Sequence, residues 1–282
     1  MALILPPWYF ADQVDNLTGT PSSSLPTPTG FTANANNADG TAVSVLSALA
    51  FDAHYLIVGI SGIVGSSVNS QCLLDILADP AGGTSWANLI NDLTCGFTLA
   101  NSATQGMTTF YCFPLFIKSG TSLGVQARTR HTSNLTNGRV AMWAYGNPSR
   151  PEMWWCGSKV ESLGINAATS QGTDVTAGNS GAWGSWTNIG TSSQRYGAIQ
   201  LGLNGSDATA AGAGYYWQIG AGSNKLAGSP TFYNACSTSE SNNKAGWNHP
   251  IFCDIPASTA IQARGMCSTT AEVFNLAAYG VY

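Results

Sequence analysis

The sequence predicts an all-β fold: two tandem antiparallel β-sandwich domains, jelly-roll-like. Three observations predict it. Charged side chains make up only 9% of the 282 residues, with 10 Lys+Arg against 14 Asp+Glu, where ordinary domains carry ~25%. The 32 Gly and 12 Pro lie largely in Ser-, Thr- and Asn-rich stretches that punctuate short apolar runs. The chain also repeats itself, with matching segments in the same order.

Composition removes several classes. Aromatics are 10% of the chain, with nine Trp, unlike a disordered segment. Ala, Leu, Glu, Lys and Arg do not dominate, which excludes a coiled coil or helical bundle. The net charge is −4 with no Lys/Arg cluster, so nucleic acid is not an expected partner. No apolar window reaches ~18 residues, so no membrane partner is expected.

The repeat emerges from anchors. Val14-Asp15-Asn16-Leu17 resembles Val160-Glu161-Ser162-Leu163, an offset of 146. Tyr55-Leu56-Ile57-Val58 resembles Tyr196-Gly197-Ala198-Ile199, and Cys95 and Cys112 match Cys236 and Cys253, all at 141. Ile117 to Leu123 resembles Ile255 to Ile261 at 138, while matching Gln126-Ala127-Arg128 to Gln262-Ala263-Arg264 gives 136. Ala144-Tyr145-Gly146 matches Ala278-Tyr279-Gly280 at 134. A falling offset is what loop deletions in a duplicated unit produce. The expected layout is an extended arm or strap over 1–30, a first sandwich over 31–146, and a second over 147–282 with its own strap-like start.

Along the first unit, Pro21, Pro26 and Pro28 make Thr18 to Gly30 extended. Val43 to Leu46 reads as a strand, and Asn34 to Gly40 and Thr132 to Gly138 read as turns. Ser85 to Ile90 is the one helix-like piece. Leu123, Val125 and Ala127 alternate with Gly124, Gln126 and Arg128, placing the apolar set on one face of a strand. Along the second unit, Gly164 to Gly181 and Gly202 to Gly214 read as loops. Trp183-Gly184-Ser185-Trp186 reads as a strand, and Ile261, Ala263 and Gly265 are expected inside.

Seven Cys without a C-x-x-C pair give no zinc spacing. The separation of 17 shared by Cys95/Cys112 and Cys236/Cys253 is open to an equivalent disulfide in each unit. The start of the chain lacks a secretory pattern, which favours buried free thiols.

No catalytic, cofactor-binding or metal-ligating set is predicted. His54, His131 and His249 lack a second ligand at spacing, and His54 reads as an exposed polar turn. Asp12/Asp15 and Asp75/Asp79 do not make a catalytic pair: Glu161 answers Asp15, and Trp217-Gln218-Ile219 falls where Asp75 stands. Gly59-Ile60-Ser61-Gly62 has the wrong spacing for a nucleophile elbow. The candidate interface or ligand aromatics are Trp154, Trp155, Trp183, Trp186, Trp217 and Trp247. Such rings pack subunits together or stack on sugars. Low surface charge favours burial against neighbours, because burying charge is costly.

Gly181 to Ile189 (GAWGSWTNI), Phe113 to Val125, its second form Ile255 to Arg264, and the Tyr145 to Pro151 junction resemble a module in virion structural proteins of tailed bacteriophages, marine and cyanophage-like ones especially. In this stretch the first unit has Val43 and Leu46 in place of the Trp pair. The resemblance implies a non-enzymatic virion structural protein, foremost an outer capsid decoration or stabilising component. It implies assembly in the host cytoplasm, with other virion proteins and copies of itself as partners, a trimer among the options. The alternatives are a carbohydrate-binding fibre or host-adhesion module contacting host glycan, and a double jelly-roll capsid protein.

Overall fold

The computed structural model describes residues 13–16, 28–61, 70–97, 109–146, 156–165, 172–206, 214–222, 224–226, 234–235, 247–268, 271 and 273–282. The fold is all-β. The first half holds β1 (Gln13–Asn16), β2 (Thr29–Asn34), β3 (Val43–Leu46), β4 (Tyr55–Ser61), β5 (Ser70–Asp79), β6 (Ala87–Phe97), β7 (Thr109–Phe113), β8 (Ser122–Thr129) and β9 (Leu135–Gly146). The second half holds β10 (Val160–Leu163), β11 (Thr173–Gly178), β12 (Thr187–Thr191), β13 (Tyr196–Ser206), β14 (Gly214–Ala221) and β15 (Asn224–Lys225). It continues with β16 (Asn234–Ala235), β17 (Trp247–Asn248), β18 (Ile251–Ile255), β19 (Ala260–Cys267) and β20 (Val273–Val281).

In the first unit β7, β4 and β9 form one ladder, and β6, β5 and β8 another. Alternation turns Leu56, Val58 and Ile60 of β4 toward Leu74 and Ile76 of β5 and Leu123 and Val125 of β8, all buried in one core. β2 joins the ladders. Its start pairs antiparallel with β9 (Thr29 opposite Val140), and its end pairs parallel with β8 (Ala33 opposite Ala127), across a bulge. A bulged strand that changes partners is how a sandwich turns a corner.

The second unit repeats this arrangement strand for strand. β13 lies between β18 and β20, β14 pairs with β19, and β11 bridges β20 and β19 through the same antiparallel-then-parallel switch. The register is shared in detail. Val43, Ser44 and Leu46 face Val125, Gly124 and Leu123, with a bulge before Leu46. Thr187, Asn188 and Gly190 face Ala263, Gln262 and Ile261, with a bulge at the same place. Even the turn after β2 recurs: Asn36 and Asn37 take positive φ, as do Ser180 and Gly181. The amides of Asn37 and Gly40 donate to Thr129 and Ala127, as those of Gly181 and Gly184 donate to Cys267 and Gly265.

These registers give offsets of 146 for Val14/Val160, 144 for Ala33/Ala177, 138 for Leu123/Ile261 and 136 for Tyr145/Val281. Leu123 and Ile261 are therefore equivalent, as expected. Two anchors slip by two residues: Tyr55 corresponds to Ala198, and Tyr145 to Val281 instead of Tyr279. A two-residue slip leaves every side chain on its own face. The Cys spacing is not a repeated feature, because Leu56 faces Phe113 as Ile199 faces Ile251, which puts Cys112 level with Pro250. Cys72, Cys95, Cys112, Cys156, Cys253 and Cys267 are thiols not joined in disulfides, and Cys95 stands across from Cys72.

Other expectations change. The helix-like piece at Ser85 to Ile90 runs into β6, because pairing along β5 overrides local propensity. β9 begins at Leu135, inside the expected turn, and β11 occupies part of the expected Gly164–Gly181 loop. Trp183 to Trp186 precedes β12 rather than forming a strand, with Trp183 in an isolated bridge to Met266. His54 is buried, its amide bonded to the Tyr145 carbonyl, and burial lowers its pKa although Asp52 opposes this.

Core volume is shared differently between equivalent strand pairs. A Cβ on Gly138 would overlap the Phe31 ring, whereas the equivalent positions hold Phe274 and Val175. A Cβ on Gly265 would overlap Trp217, whereas Ala127 faces Leu74 at the equivalent site.

The two units share a seam. The outward face of β13 and β20 packs against β6 and β7, so Ala198, Ala277, Tyr279 and Val281 belong to the first unit's core. The Tyr279 hydroxyl accepts from the Thr94 amide and donates to the Asp92 carbonyl, each at 2.8 Å. Its ring meets Tyr111 edge-on at 5.5 Å. Gly202 fits here because a side chain would strike Thr94 and Tyr111. One element crosses between halves: β17 pairs parallel with β7, Trp247 opposite Phe110.

Candidate interaction surface

The outer faces of β8 and β19 are the most chemically distinctive surfaces. On β8, Gln126 and Arg128 point away from the core that buries Val125 and Ala127. Gln126 donates to Asp75 at 3.1 Å, and Asp75 also accepts from the Asp92 amide at 2.7 Å. Arg128 is paired with the Asp92 carboxylate and lies 3.7 Å from Asp39. Burial raises the Asp92 pKa to about 6: Arg128 opposes the rise and Asp75 adds to it. Asp75 is also raised by burial, against its two hydrogen bonds.

The equivalent face of the second unit is built from aromatic and neutral polar groups. Arg264 stands level with Gln126, and Gln218 with Asp75. The Arg264 Nε donates to the Gln218 Oε1 at 3.0 Å. Its guanidinium carbon lies 5.1 Å from the Trp183 ring centroid and 4.5 Å from that of Trp186. Both distances are within cation–π range. By register these two Trp correspond to Asp39 and Ala42, not to Val43 and Leu46. A carboxylate in one unit is thus replaced by an indole in the other.

The structure brings Trp183 and Trp186 together and separates Trp217 from them. Trp217 is a core residue, 1% exposed, packed edge-on against Phe274 at 4.8 Å. It belongs neither to an interface nor to a ligand platform, since its strand position faces inward. Trp247 contributes backbone pairing to β7. Trp154 and Trp155 lie outside the described residues. Arg264, Gln218, Arg128 and Asp92 were not singled out from sequence as site residues. The Gln-Ala-Arg runs at 126–128 and 262–264 carry the sequence signal for the two arginines, as repeat anchors, while Gln218 and Asp92 have none.

No protein-family model matches the chain, and no curated protein matches it. Solved structures do match over 95% of its length. A PNGF-II structure in space group C2 has 8% identity and a TM-score of 0.38, and this chain spans only 64% of that chain. A structure of Sulfolobus turreted icosahedral virus has 10% identity, a TM-score of 0.34 and 90% of its chain covered. A structure of T=1 particles derived from infectious bursal virus has 9% identity, a TM-score of 0.28 and 73% covered. Likenesses this distant carry no argument about what the chain does.

Proposed function

We propose that the chain is a non-enzymatic structural component of a virus particle, on the outside of a bacteriophage capsid as a decoration or stabilising protein. Residues 1–30 act in this reading as an arm or strap, laid onto the first module where β1 and the start of β2 pair with β9, and 31–146 and 147–282 act as the two modules. The observation that carries it is the seam: two sandwiches of one topology, locked by a shared apolar core around Tyr279. A rigid two-module block of low charge suits burial against neighbours, and two linked modules raise avidity. Jelly-roll folds recur in capsid proteins, although fold alone does not assign function. Its partners are other virion proteins and copies of itself. Mass spectrometry of purified particles tests this: the chain is expected in stoichiometric amount, and its absence overturns the reading.

The same seam favours one second reading, a double jelly-roll capsid protein that builds the shell. Expression alone separates the two. A shell builder assembles closed particles visible by electron microscopy, whereas a decoration protein stays as small oligomers.

A further inference from the structure

We infer that Arg264, held between Trp183 and Trp186, is the anchor of a binding site for a carboxylate-bearing saccharide. Three observations converge on it. The only hydrogen bond to the Arg264 guanidinium uses Nε, on Gln218, so its two terminal nitrogens have no acceptor among the described residues. Arg264 itself is only partly buried. Second, the equivalent face of the first unit satisfies its arginine internally, through Asp92 and Asp39. In the second unit Trp183 and Gln218 stand where Asp39 and Asp75 stand, so neither of those two positions supplies a carboxylate. Third, the Gln262 side-chain oxygen, two residues along the same strand face, is buried without a partner. It is an acceptor on the strand face of Arg264 that no described donor satisfies.

A guanidinium whose plane is fixed by stacking presents two parallel N–H groups, the geometry that receives a carboxylate. The half-buried indoles beside it offer apolar faces for the C–H face of a sugar ring. Gln262 is only partly buried as a residue, and a turn of its side chain brings its oxygen out to accept from a hydroxyl next to the carboxylate. A phosphodiester polymer is the poorer fit, because its affinity depends on several cations acting together, and this chain has 10 Lys+Arg in all. The site stands independently of the virion reading.

The test uses the full chain against an array of uronic- and sialic-acid oligosaccharides, followed by tryptophan fluorescence titration with the best binder. Saturable quenching is expected with the acid. Weakening by about tenfold is expected for its methyl ester and for Arg264→Lys, which keeps the charge but loses the fork. Arg264→Lys also gives up the Nε bond to Gln218, so its thermal melt is recorded beside the titration, and the methyl ester, which leaves the protein unchanged, separates lost binding from lost folding. No binding to any acidic glycan, equal binding of the methyl ester, or full binding by Arg264→Lys overturns the proposal. Equal affinity for free glutamate overturns the saccharide assignment.

Discussion

Tyr279 and Trp143 occupy the same position in the two units, each on the outward face of the last strand. Their circumstances differ. Tyr279 is buried in the seam, with its hydroxyl bonded to Thr94 and Asp92 of the other unit. Trp143 is partly buried beside Phe110, in a small cluster with Tyr55, Ile57 and Cys112. Around Tyr279 the neighbours are small: Ala198 answers Tyr55, and Val281 answers Tyr145. One register thus serves two purposes. Small residues let one face approach a second sheet closely, and bulky aromatics fill the other.

The sharpest way to break this comparison is to truncate both rings. Tyr279→Ala loses a fully buried ring and leaves the Thr94 amide unpaired, so a loss of about 5 kcal/mol is expected. Trp143→Ala removes a partly exposed ring and should cost about 2 kcal/mol. Urea denaturation of both variants measures the gap; equal losses would mean the seam is not special. The next test sharpens the equivalence itself. Leu123→Ala and Ile261→Ala empty matched core positions, both fully buried. Each should cost about 3 kcal/mol, within 1 kcal/mol of the other.

The two arginine faces predict different pH behaviour. Asp92 titrates at about 6 when folded, against an ordinary value of 3.8. A raised acid binds more protons folded than unfolded. Its stabilising contribution is therefore full below 3.8 and lost as pH rises through about 6. The loss is about 3 kcal/mol before solvent screening of the partly exposed carboxylate reduces it. Asp92→Asn, which tolerates the positive φ at this site, should flatten most of the decline in melting temperature between pH 4 and pH 7. An undiminished decline would assign it elsewhere. The smallest effect belongs to Trp186→Ala, about 1 kcal/mol for a stacked, partly exposed cation, read by the same denaturation assay.

The strand character, the doubling and the inward set of Leu123, Val125 and Ala127 were legible because alternation and order are local signals. The exact register was not. Tyr55 and Tyr145 were matched to tyrosines by type, while backbone pairing aligns them with Ala198 and Val281. A period of two makes such slips invisible to pattern. The seam was equally hidden, since Thr94 and Tyr279 lie 185 residues apart. Arg264 was visible as a residue but not as a site. Its meaning depends on which side chains share its face, and Trp183 reaches that face from a loop.

The traded volumes at Phe31/Gly138 and Val175/Phe274 have a consequence for how the chain finds its fold. Tandem copies of one topology risk crossed assembly, in which a strand of one copy completes the other. Backbone register here offers no protection, because equivalent strands are interchangeable as hydrogen-bonding partners. Shape does. Substituting β20 for β9 would bring Phe274 against Phe31, two rings where one fits, and substituting β9 for β20 would leave Gly138 against Val175 and a void. Placing Ala127 where Gly265 belongs would drive a methyl group into Trp217. Each crossed product is overfilled or hollow, so side-chain size sorts the strands that their backbones cannot tell apart.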